Sequence, residues 1–425
     1  MANELTVEII NIGDELLLGI RTNSHLTYLG KQLSLLGLKI QHCQVIPDEL
    51  NAIKAAFTTA RKRSNWVIAT GGLGPTEDDL TREGLAASLQ RELIYNEAIF
   101  EAIAERFSKL GREVSTIHKK QCHQIEGSQL LKNDRGTAPG LLIEDANSVI
   151  IALPGPTHEL TPMFERSVIP HIKQRACLSE GAAYLQLRTC GLGESSVEDR
   201  VAPIVQKYSE LNLAFCVHLG IVDVRLSWAD GVTSSDLLER VAAECRTALG
   251  DHFVGYGEVS LSQVIFQSLR RQQQTLAVAE SCTGGLMGNA FTDIPGVSKV
   301  FQGGVVCYAN EVKILQLGVP EEIIEQHGAV SGECAIAMAS GVAENLSSDY
   351  GLSITGFAGP EGGTKENPVG TIHIGIHSPY GIWAKSVRYL GGRLDVKARA
   401  VNAALDWMRR LSLKQERANR GMGSI

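Results

Sequence analysis

Short apolar runs alternate with segments of helical period along most of this chain, and several of the runs end at glycine-rich turns. In the first 174 residues the clearest apolar runs are 7–12, 66–69 and 149–153. Each is followed by a polar, glycine-containing stretch and then by a helical pattern. Repeated units of strand, turn and helix predict a mostly parallel α/β sheet over residues 1–174.

A shorter middle region, residues 175–257, has a different pattern. Its predicted elements are a strand over 183–190, a helix beginning near Gly193, two strands over 213–218 and 221–228, and a helix over 234–249. Residues 258–413 return to alternating strands and helices. Residues 414–425 are polar and contain glycine, so we expect them to form a flexible tail.

The turn AESCTGG, residues 279–285, lies between the apolar run TLAVA and a helix-compatible segment. The first N–H groups of a helix have no partner within it, and glycines let a ligand approach them closely. Ser281 would then be a hydroxyl nucleophile beside free N–H groups at Gly284 and Gly285. The alternative is that Ser281 or Thr283 only caps the helix.

A second strand end, GGVVCYANEVK at residues 303–313, offers partners for this serine. If the two strands are neighbours, Tyr308, Asn310 and Lys313 converge on Ser281, because ligands of open α/β sheets bind beyond the carboxyl ends of the strands. A lysine amine accepts a proton from serine only when it is neutral, and burial favours the neutral form. The alternative for Lys313 is a solvated position on a helix.

A third glycine-rich strand end, SITGFAGPEGG at residues 353–363, completes a set of ordered motifs. These motifs are AESCTGG, YANEVK, HGAVS, TGFAGPEGG and NPVGT. On them the region resembles the CinA family, whose C-terminal domain is similar to nicotinamide mononucleotide deamidases. The resemblance implies an α/β/α domain that hydrolyses the carboxamide of nicotinamide mononucleotide to nicotinate mononucleotide and ammonia, without a cofactor.

The same resemblance implies roles for individual residues. Ser281 is expected to be the nucleophile, Lys313 its base, and Tyr308 a hydroxyl that relays or positions the proton. Arg393 is the expected phosphate partner, because a guanidinium matches the geometry of a phosphate. The remaining residues expected to bind the substrate are Thr283, Gly284, Gly285, Asn310, Thr355, Gly356 and Gly359.

Residues 1–174 carry GDELLLG, TGGLGPTEDDLT, NDRGTAPG and LPGPTHE, and on these they resemble the molybdopterin-binding fold, an α/β/α sandwich. In CinA proteins a domain of this kind is associated with ADP-ribose pyrophosphatase activity, but the scaffold also binds pterins. The glycine cluster is neither a dinucleotide fingerprint nor a P-loop, although it can cradle a phosphate. The residues expected to bind a nucleotide are Asp14, Gly71, Gly72, Gly74, Thr76, Asp78, Asp79 and Gly155.

Asp78 and Asp79 are also candidate ligands for a divalent metal ion held against a pyrophosphate. Their alternative role is that of acidic residues in the first turn of a helix, where the helix dipole favours them. For the middle region the family implies a small KH-like α+β domain. The sequence has neither a G-x-x-G clamp nor a basic stripe there, so a spacer or dimerisation module is favoured over RNA binding.

The composition of the 425 residues is that of a globular protein, with 44% hydrophobic and 20% charged residues. A net charge of −7 argues against a surface that binds nucleic acid or an anionic membrane. Nine scattered cysteines without a C-x-x-C pair predict reduced thiols. With neither a signal peptide nor a long apolar run, we expect a cytoplasmic protein, and the family suggests a homodimer. The rival function is a non-catalytic, nucleotide-binding or competence-associated protein.

Overall fold

The computed structural model describes residues 5–146, 148–176, 184–228 and 235–422. They form two compact units, one made mainly of residues before 185 and the other of residues from 185 onward. The predicted starts of a strand at Ala183 and of a helix at Ser234 lie outside the described residues. Among the described residues, no helix combines the length and the apolar character that a membrane crossing requires.

The first unit alternates strands and helices, as its sequence predicts. Its strands are β1 (Val7–Ile12), β2 (Ile40–Ile46), β3 (Trp66–Thr70), β4 (Leu93–Tyr95), β5 (His123–Ile125), β6 (Gln129–Leu131), β7 (Gly140–Asp145) and β8 (Ser148–Leu153). Its helices are α1 (Asp14–Leu17), α2 (Ser24–Leu35), α3 (Leu50–Arg63), α4 (Thr81–Leu89), α5 (Glu97–Lys109), α6 (Thr157–Met163) and α7 (Ile169–Arg175).

The main sheet of this unit has the order β2-β1-β3-β8-β7-β6. The first four strands pair in parallel, whereas β7 pairs antiparallel with both β8 and β6. Strands β1, β3 and β8 are buried along their whole length. Ile10 packs in one core with Phe57 of α3, whereas the adjacent Ile9 packs in a second core with Leu29 of α2. Because successive residues of a strand point to opposite faces, helices cover both faces of the sheet, and the predicted α/β/α sandwich is confirmed.

The second unit begins with the middle region of the chain. Its strands are β9 (Tyr184–Cys190), β10 (Leu211–His218), β11 (Ile221–Trp228), β12 (Phe253–Tyr256), β13 (Leu276–Glu280), β14 (Phe301–Val306), β15 (Tyr350–Gly356), β16 (Thr371–Ser378) and β17 (Gly381–Arg388). Its helices are α8 (Glu194–Val205), α9 (Ser235–Leu249), α10 (Leu261–Gln272), α11 (Leu286–Thr292), α12 (Asn310–Leu317), α13 (Glu321–His327), α14 (Gly332–Asn345) and α15 (Arg393–Met422).

The middle region forms a small sheet in the order β10-β11-β9-β12 that packs against the long helix α15. Cys190 and Val254 share one hydrophobic core with Met408 of this helix. Arg409 donates hydrogen bonds to the carbonyl oxygens of Asp251 and Phe253. The KH-like region is therefore joined to the C-terminal region by a common core and by buried polar contacts.

The prediction of a flexible tail over residues 414–425 is wrong for residues 414–422, which continue α15. Glu416 is buried and accepts hydrogen bonds from Arg271 Nε at 2.9 Å and from Ser268 Oγ at 3.0 Å. These contacts tie the last turns of α15 to α10. This polar segment is thus part of a helix, and its carboxylate Glu416 is paired. Residues 423–425 lie outside the described part of the chain.

The C-terminal sheet has the order β14-β13-β15-β16-β17, and its first three strands are parallel. Val278 of β13 faces the core shared with α10 and α15, and Ala277 faces a second core with Met338 of α14. Helices therefore cover both faces of this sheet, as predicted. The carboxyl ends of three neighbouring strands meet at one edge, where the glycine-rich turns lie.

Candidate active site

The structure brings Ser281 and Lys313 together at the edge where β13 and β14 end. Ser281 follows β13, and its backbone N–H donates to Ile354 O of β15 at 2.9 Å, which fixes the start of the turn. Lys313 lies on the second turn of α12, and its Nζ atom lies 3.3 Å from Ser281 Oγ. The two predicted strand ends are thus neighbours.

Lys313 is 1% exposed, so the alternative of a solvated helix position is wrong. Its amine contacts the carbonyl oxygens of Cys307 at 2.8 Å and Tyr308 at 3.2 Å as well as Ser281. Among the described residues it makes no salt bridge. A neutral amine has two N–H groups and one lone pair, which match two carbonyls and a donating serine hydroxyl, while an ammonium donates to all three oxygens. The arrangement accommodates the amine before and after a proton transfer.

The expectation of free N–H groups at Gly284 and Gly285 is wrong: Gly284 N–H donates to Ser281 O at 3.2 Å, and Gly285 N–H is one of three that a carboxylate accepts from. The buried carboxylate of Glu280 accepts from the N–H groups of Gly285 at 3.1 Å, Met287 at 3.0 Å and Gly288 at 2.7 Å. A carboxylate at a helix N-terminus satisfies unpaired donors and complements the helix dipole. Glu280 therefore fixes the turn that carries Ser281, a role that the sequence analysis missed although this residue precedes the serine.

The rest of the turn is shaped by its glycines and by one buried hydroxyl. Gly284 has φ +63° and Gly285 has φ +98°, a left-handed region that favours glycine. Thr283 is fully buried, and its Oγ1 atom has no hydrogen-bond partner among the described residues. An unpaired hydroxyl inside a structure is unfavourable, and this one is closed to solvent, so a contact of Thr283 with a substrate stays a prediction.

Tyr308, Gly359 and Arg393 are joined by hydrogen bonds at the rim of the site. Arg393 donates from Nη1 to Gly359 O at 2.7 Å and from Nη2 to Tyr308 Oη at 3.1 Å. The phenol of Tyr308 is exposed, and it is the backbone carbonyl of this residue that contacts Lys313. The predicted phosphate partner thus connects the AGPEGG loop with the residue expected to position the proton.

Thr355, Gly356 and Asn310 have other surroundings. Thr355 is buried and donates its hydroxyl to Ala329 O at 2.7 Å, which holds the HGAVS loop against β15. A Cβ atom on Gly356 would lie 2.5 Å from Ile372 Cδ1, so glycine permits the pairing of β15 with β16. Asn310 is exposed at the first position of α12. Thr355 and Gly356 therefore support the site in this structure, the first through a hydrogen bond and the second through close packing.

Two residues near the turn complete its electrostatic surroundings. Burial raises the pKa of the Cys282 thiol to about 11, and the positive charges of Arg393 and Lys397 oppose the rise. Cys282 is therefore an unreactive neighbour of Ser281. Lys397 was missed in the sequence; the signal available there was its position four residues after Arg393.

The first unit has a cavity of about 470 Å³ beyond the carboxyl ends of β1, β3 and β8. The predicted residues that line it are Gly71, Gly72, Gly74, Asp78, Asp79 and Gly155. Asp14 and Thr76 do not line it. The lining side chains absent from the prediction include Glu15, Arg21, His25, Asp48, Gln121 and Glu159.

The predicted metal pair, Asp78 and Asp79, does not form a ready ligand set. Asp79 Oδ2 accepts hydrogen bonds from the backbone N–H and the hydroxyl of Thr76, so this oxygen serves the loop. Among the described residues, no group of three or more His, Cys, Asp or Glu side chains is placed to hold a metal ion. The alternative role is also wrong, because both residues precede α4, which begins at Thr81.

Acidic side chains crowd one wall of the cavity. Burial raises the pKa of Asp48, and the carboxylates of Asp14, Glu15 and Asp78 add to the rise. The ring of His25, which also lines the cavity, lies 3.1 Å from Thr70 Oγ1 at the end of β3. The cavity therefore offers carboxylates and one imidazole beside the glycine turn.

Family models assign each of these regions to a class of domain. Residues 8–174 match the probable molybdopterin binding domain, residues 186–255 match the damage-inducible protein CinA KH domain, and residues 258–412 match the CinA C-terminal domain. The fold classes predicted for the three regions are therefore confirmed.

Two similar proteins match this chain over nearly its full length, and a similar solved structure matches about a third of it. A CinA-like protein from Dictyoglomus thermophilum is 41% identical over 406 residues, which cover 95% of this chain and 98% of that protein. A putative competence-damage inducible protein from Clostridium acetobutylicum is 38% identical over 409 residues, which cover 96% and 99%. The crystal structure of competence/damage inducible protein CihA from Agrobacterium tumefaciens is 35% identical, covering 35% of this chain and 91% of that one, with a TM-score of 0.34. The chain belongs to the CinA family.

Proposed function

We propose that the C-terminal domain is an amidohydrolase that converts nicotinamide mononucleotide to nicotinate mononucleotide and ammonia. The observation that supports this function most directly is the buried amine of Lys313 at 3.3 Å from Ser281 Oγ. A serine hydroxyl becomes a nucleophile when a neighbouring base removes its proton, and a buried lysine amine is one such base. The fold alone does not distinguish this chemistry from simple binding.

The proposed reaction proceeds through an acyl-enzyme. Ser281 Oγ attacks the carboxamide carbon while its proton passes to Lys313 Nζ, and the carbonyl oxygen becomes an oxyanion. Collapse of this intermediate breaks the C–N bond, and the proton on Lys313 leaves with ammonia. The same amine then takes a proton from water, and the hydroxide attacks the ester carbon. The bond from that carbon to Ser281 Oγ breaks, and Lys313 returns the proton to Ser281 Oγ.

For the cavity of the first unit we propose a nucleotide ligand with a pyrophosphate, of the ADP-ribose type. The glycine turn and the volume of about 470 Å³ support a ligand of this size. A pterin is the second candidate, supported by the match to the molybdopterin binding domain. Calorimetry with each ligand, with and without divalent cations, separates the two.

Ammonia release from nicotinamide mononucleotide tests the proposed activity, for which we propose a cytoplasmic location. The full chain should release ammonia and nicotinate mononucleotide in equal amounts, and Ser281→Ala should abolish the release. Ser298→Ala, which changes an exposed serine of the same domain, should behave as wild type. Absence of release by the wild type, or undiminished release by Ser281→Ala, would favour the non-catalytic rival. Sedimentation of the same samples tests the proposed homodimer.

A further inference from the structure

Lys397 places a second positive charge over the turn that carries Ser281. It lies four residues after Arg393 on α15, so the two side chains extend from the same face of the helix. Its Nζ atom lies 3.8 Å from the position that a Cβ atom on Gly284 would occupy. The ammonium is therefore directly above the nucleophile turn, and the guanidinium is at the rim.

Arg393 and Lys397 differ in whether their N–H groups already donate hydrogen bonds within the protein. Arg393 already donates to Gly359 O and Tyr308 Oη. Lys397 is half-buried, and among the described residues it makes neither a hydrogen bond nor a salt bridge. An ammonium has three donors and no acceptor. Lys397 is thus a cation with unused donors beside the proposed nucleophile.

The charge of both residues reaches the site. Burial and the carboxylate of Glu280 raise the pKa of the Cys282 thiol, next to Ser281, whereas the positive charges of Arg393 and Lys397 act to lower it. Because the whole chain has a net charge of −7, this positive region is a local feature and does not follow from composition. An anionic group of a ligand would be held near the turn by these two side chains.

Arg393 is already the phosphate partner that the resemblance implies; we infer that Lys397 binds the same phosphate, and that Lys397 makes the site specific for phosphorylated over unphosphorylated carboxamides. This inference rests on the proposed amidohydrolase function. A phosphomonoester carries about −1.5 to −2 charges at pH 7, so two cations match it. Lysine binds phosphate as a point charge, whereas arginine adds a planar fork that fixes orientation. The corresponding nucleoside lacks this anion.

The test compares nicotinamide mononucleotide with nicotinamide riboside, which lacks the phosphate. For Lys397→Ala we expect the ratio of the two kcat/KM values to fall by about 10- to 100-fold, the range for one charge-assisted hydrogen bond. The loss should lie mainly in KM. Lys397→Arg should restore most of the ratio because it keeps the charge. Lys299→Ala, at an exposed lysine just before β14, is the matched control.

An equal loss for both substrates would overturn the inference, because it would place Lys397 in the support of the fold or the chemistry. An unchanged ratio would overturn it as well. If the wild type hydrolyses neither substrate, the proposed function fails, and calorimetry of both compounds then decides the inference alone. Tighter binding of the mononucleotide than of the riboside, lost in Lys397→Ala, supports the phosphate site. Equal binding of both compounds, or a preference unaffected by the substitution, overturns it.

Discussion

The two candidate sites of this protein share an architecture and differ in the side chains buried beside it. Both lie beyond the carboxyl ends of parallel strands, where the chain turns through glycines with left-handed backbone angles. Examples are Gly71 with φ +101° in the first unit and Gly284 with φ +63° in the C-terminal domain. The C-terminal site buries a lysine against a serine. The cavity of the first unit is lined by carboxylates and a histidine.

This difference shows that a glycine-rich strand end does not by itself make an open anion site. In the C-terminal turn, Glu280 occupies the N–H groups of Gly285, Met287 and Gly288. In the first unit, Gly71 N–H donates to Leu153 O at 3.1 Å. The glycines provide space and unusual backbone angles, whereas the chemistry depends on the neighbouring side chains.

The largest expected effect comes from removing the amine. Lys313→Met keeps an unbranched apolar stem but has no base, so ammonia release should fall by about 10²- to 10⁴-fold. Ligand binding by the first unit should not change. Steady-state ammonia assays together with calorimetry on the same protein measure both.

The matched control for this prediction is Lys299→Met, at an exposed lysine of the same domain. It should retain wild-type activity. If Lys313→Met hydrolysed the substrate at more than a tenth of the wild-type rate while remaining folded, Lys313 would not be the base. The C-terminal site would then not be distinguished from the cavity of the first unit by a buried lysine that acts as a base.

A smaller effect is expected from Glu280→Gln, which keeps the shape of the side chain and removes its charge. The amide can accept with one oxygen only, so N–H groups of the turn lose an acceptor, at about 1 to 3 kcal/mol for each buried group left unpaired. The melting temperature of the C-terminal domain should fall, and activity should fall because the position of Ser281 shifts. Thermal denaturation followed by circular dichroism measures the first effect.

Glu311→Gln, at an exposed position of α12, serves as control and should melt as wild type does. An unchanged melting temperature in Glu280→Gln would mean that the turn keeps its shape without the carboxylate. The C-terminal turn would then be closer to an open site, as the sequence alone predicts.

The elements around both sites could be predicted from the sequence because their patterns are local. The run TLAVA at residues 275–279 corresponds to β13, Leu276–Glu280, and residues 7–12 are the whole of β1. The meeting of Ser281 with Lys313 followed from the rule for neighbouring strand ends. Such predictions need only hydrophobic period, glycine positions and strand order.

What the sequence could not show depends on the direction of side chains. The pattern leaves open whether Glu280 turns back into the helix end or faces a ligand, and the structure shows the former. Lys397 comes close to Gly284 only because α15 packs beside the turn. In the same way, the polar end of α15 is held by side-chain pairs such as Glu416 with Arg271 and Arg417 with Asp251, which composition does not reveal.

The smallest expected effect is a pH dependence in the first unit. Burial lowers the pKa of His25, although a hydrogen bond to Gly155 and the charge of Glu15 oppose the change. The unfolded chain has the ordinary histidine pKa of about 6.5. Well above that value neither state is protonated at His25, so the residue adds no pH dependence to the stability. As the pH falls below it, the unfolded state binds the proton first, and the folded state loses stability until its own lower pKa is passed.

His25→Gln should therefore reduce the loss of stability of the first unit between pH 8 and pH 5.5, since glutamine can still bond Thr70 but does not titrate. His158→Gln, at an exposed ring, should retain the wild-type loss. Melting curves at the two pH values measure the difference. Identical acid sensitivity in wild type and His25→Gln would show that the carboxylates around Asp48 set the pH response of this cavity. In that case the two sites would differ in that one has a buried amine and the other has buried carboxylates, and His25 would play no part in the difference.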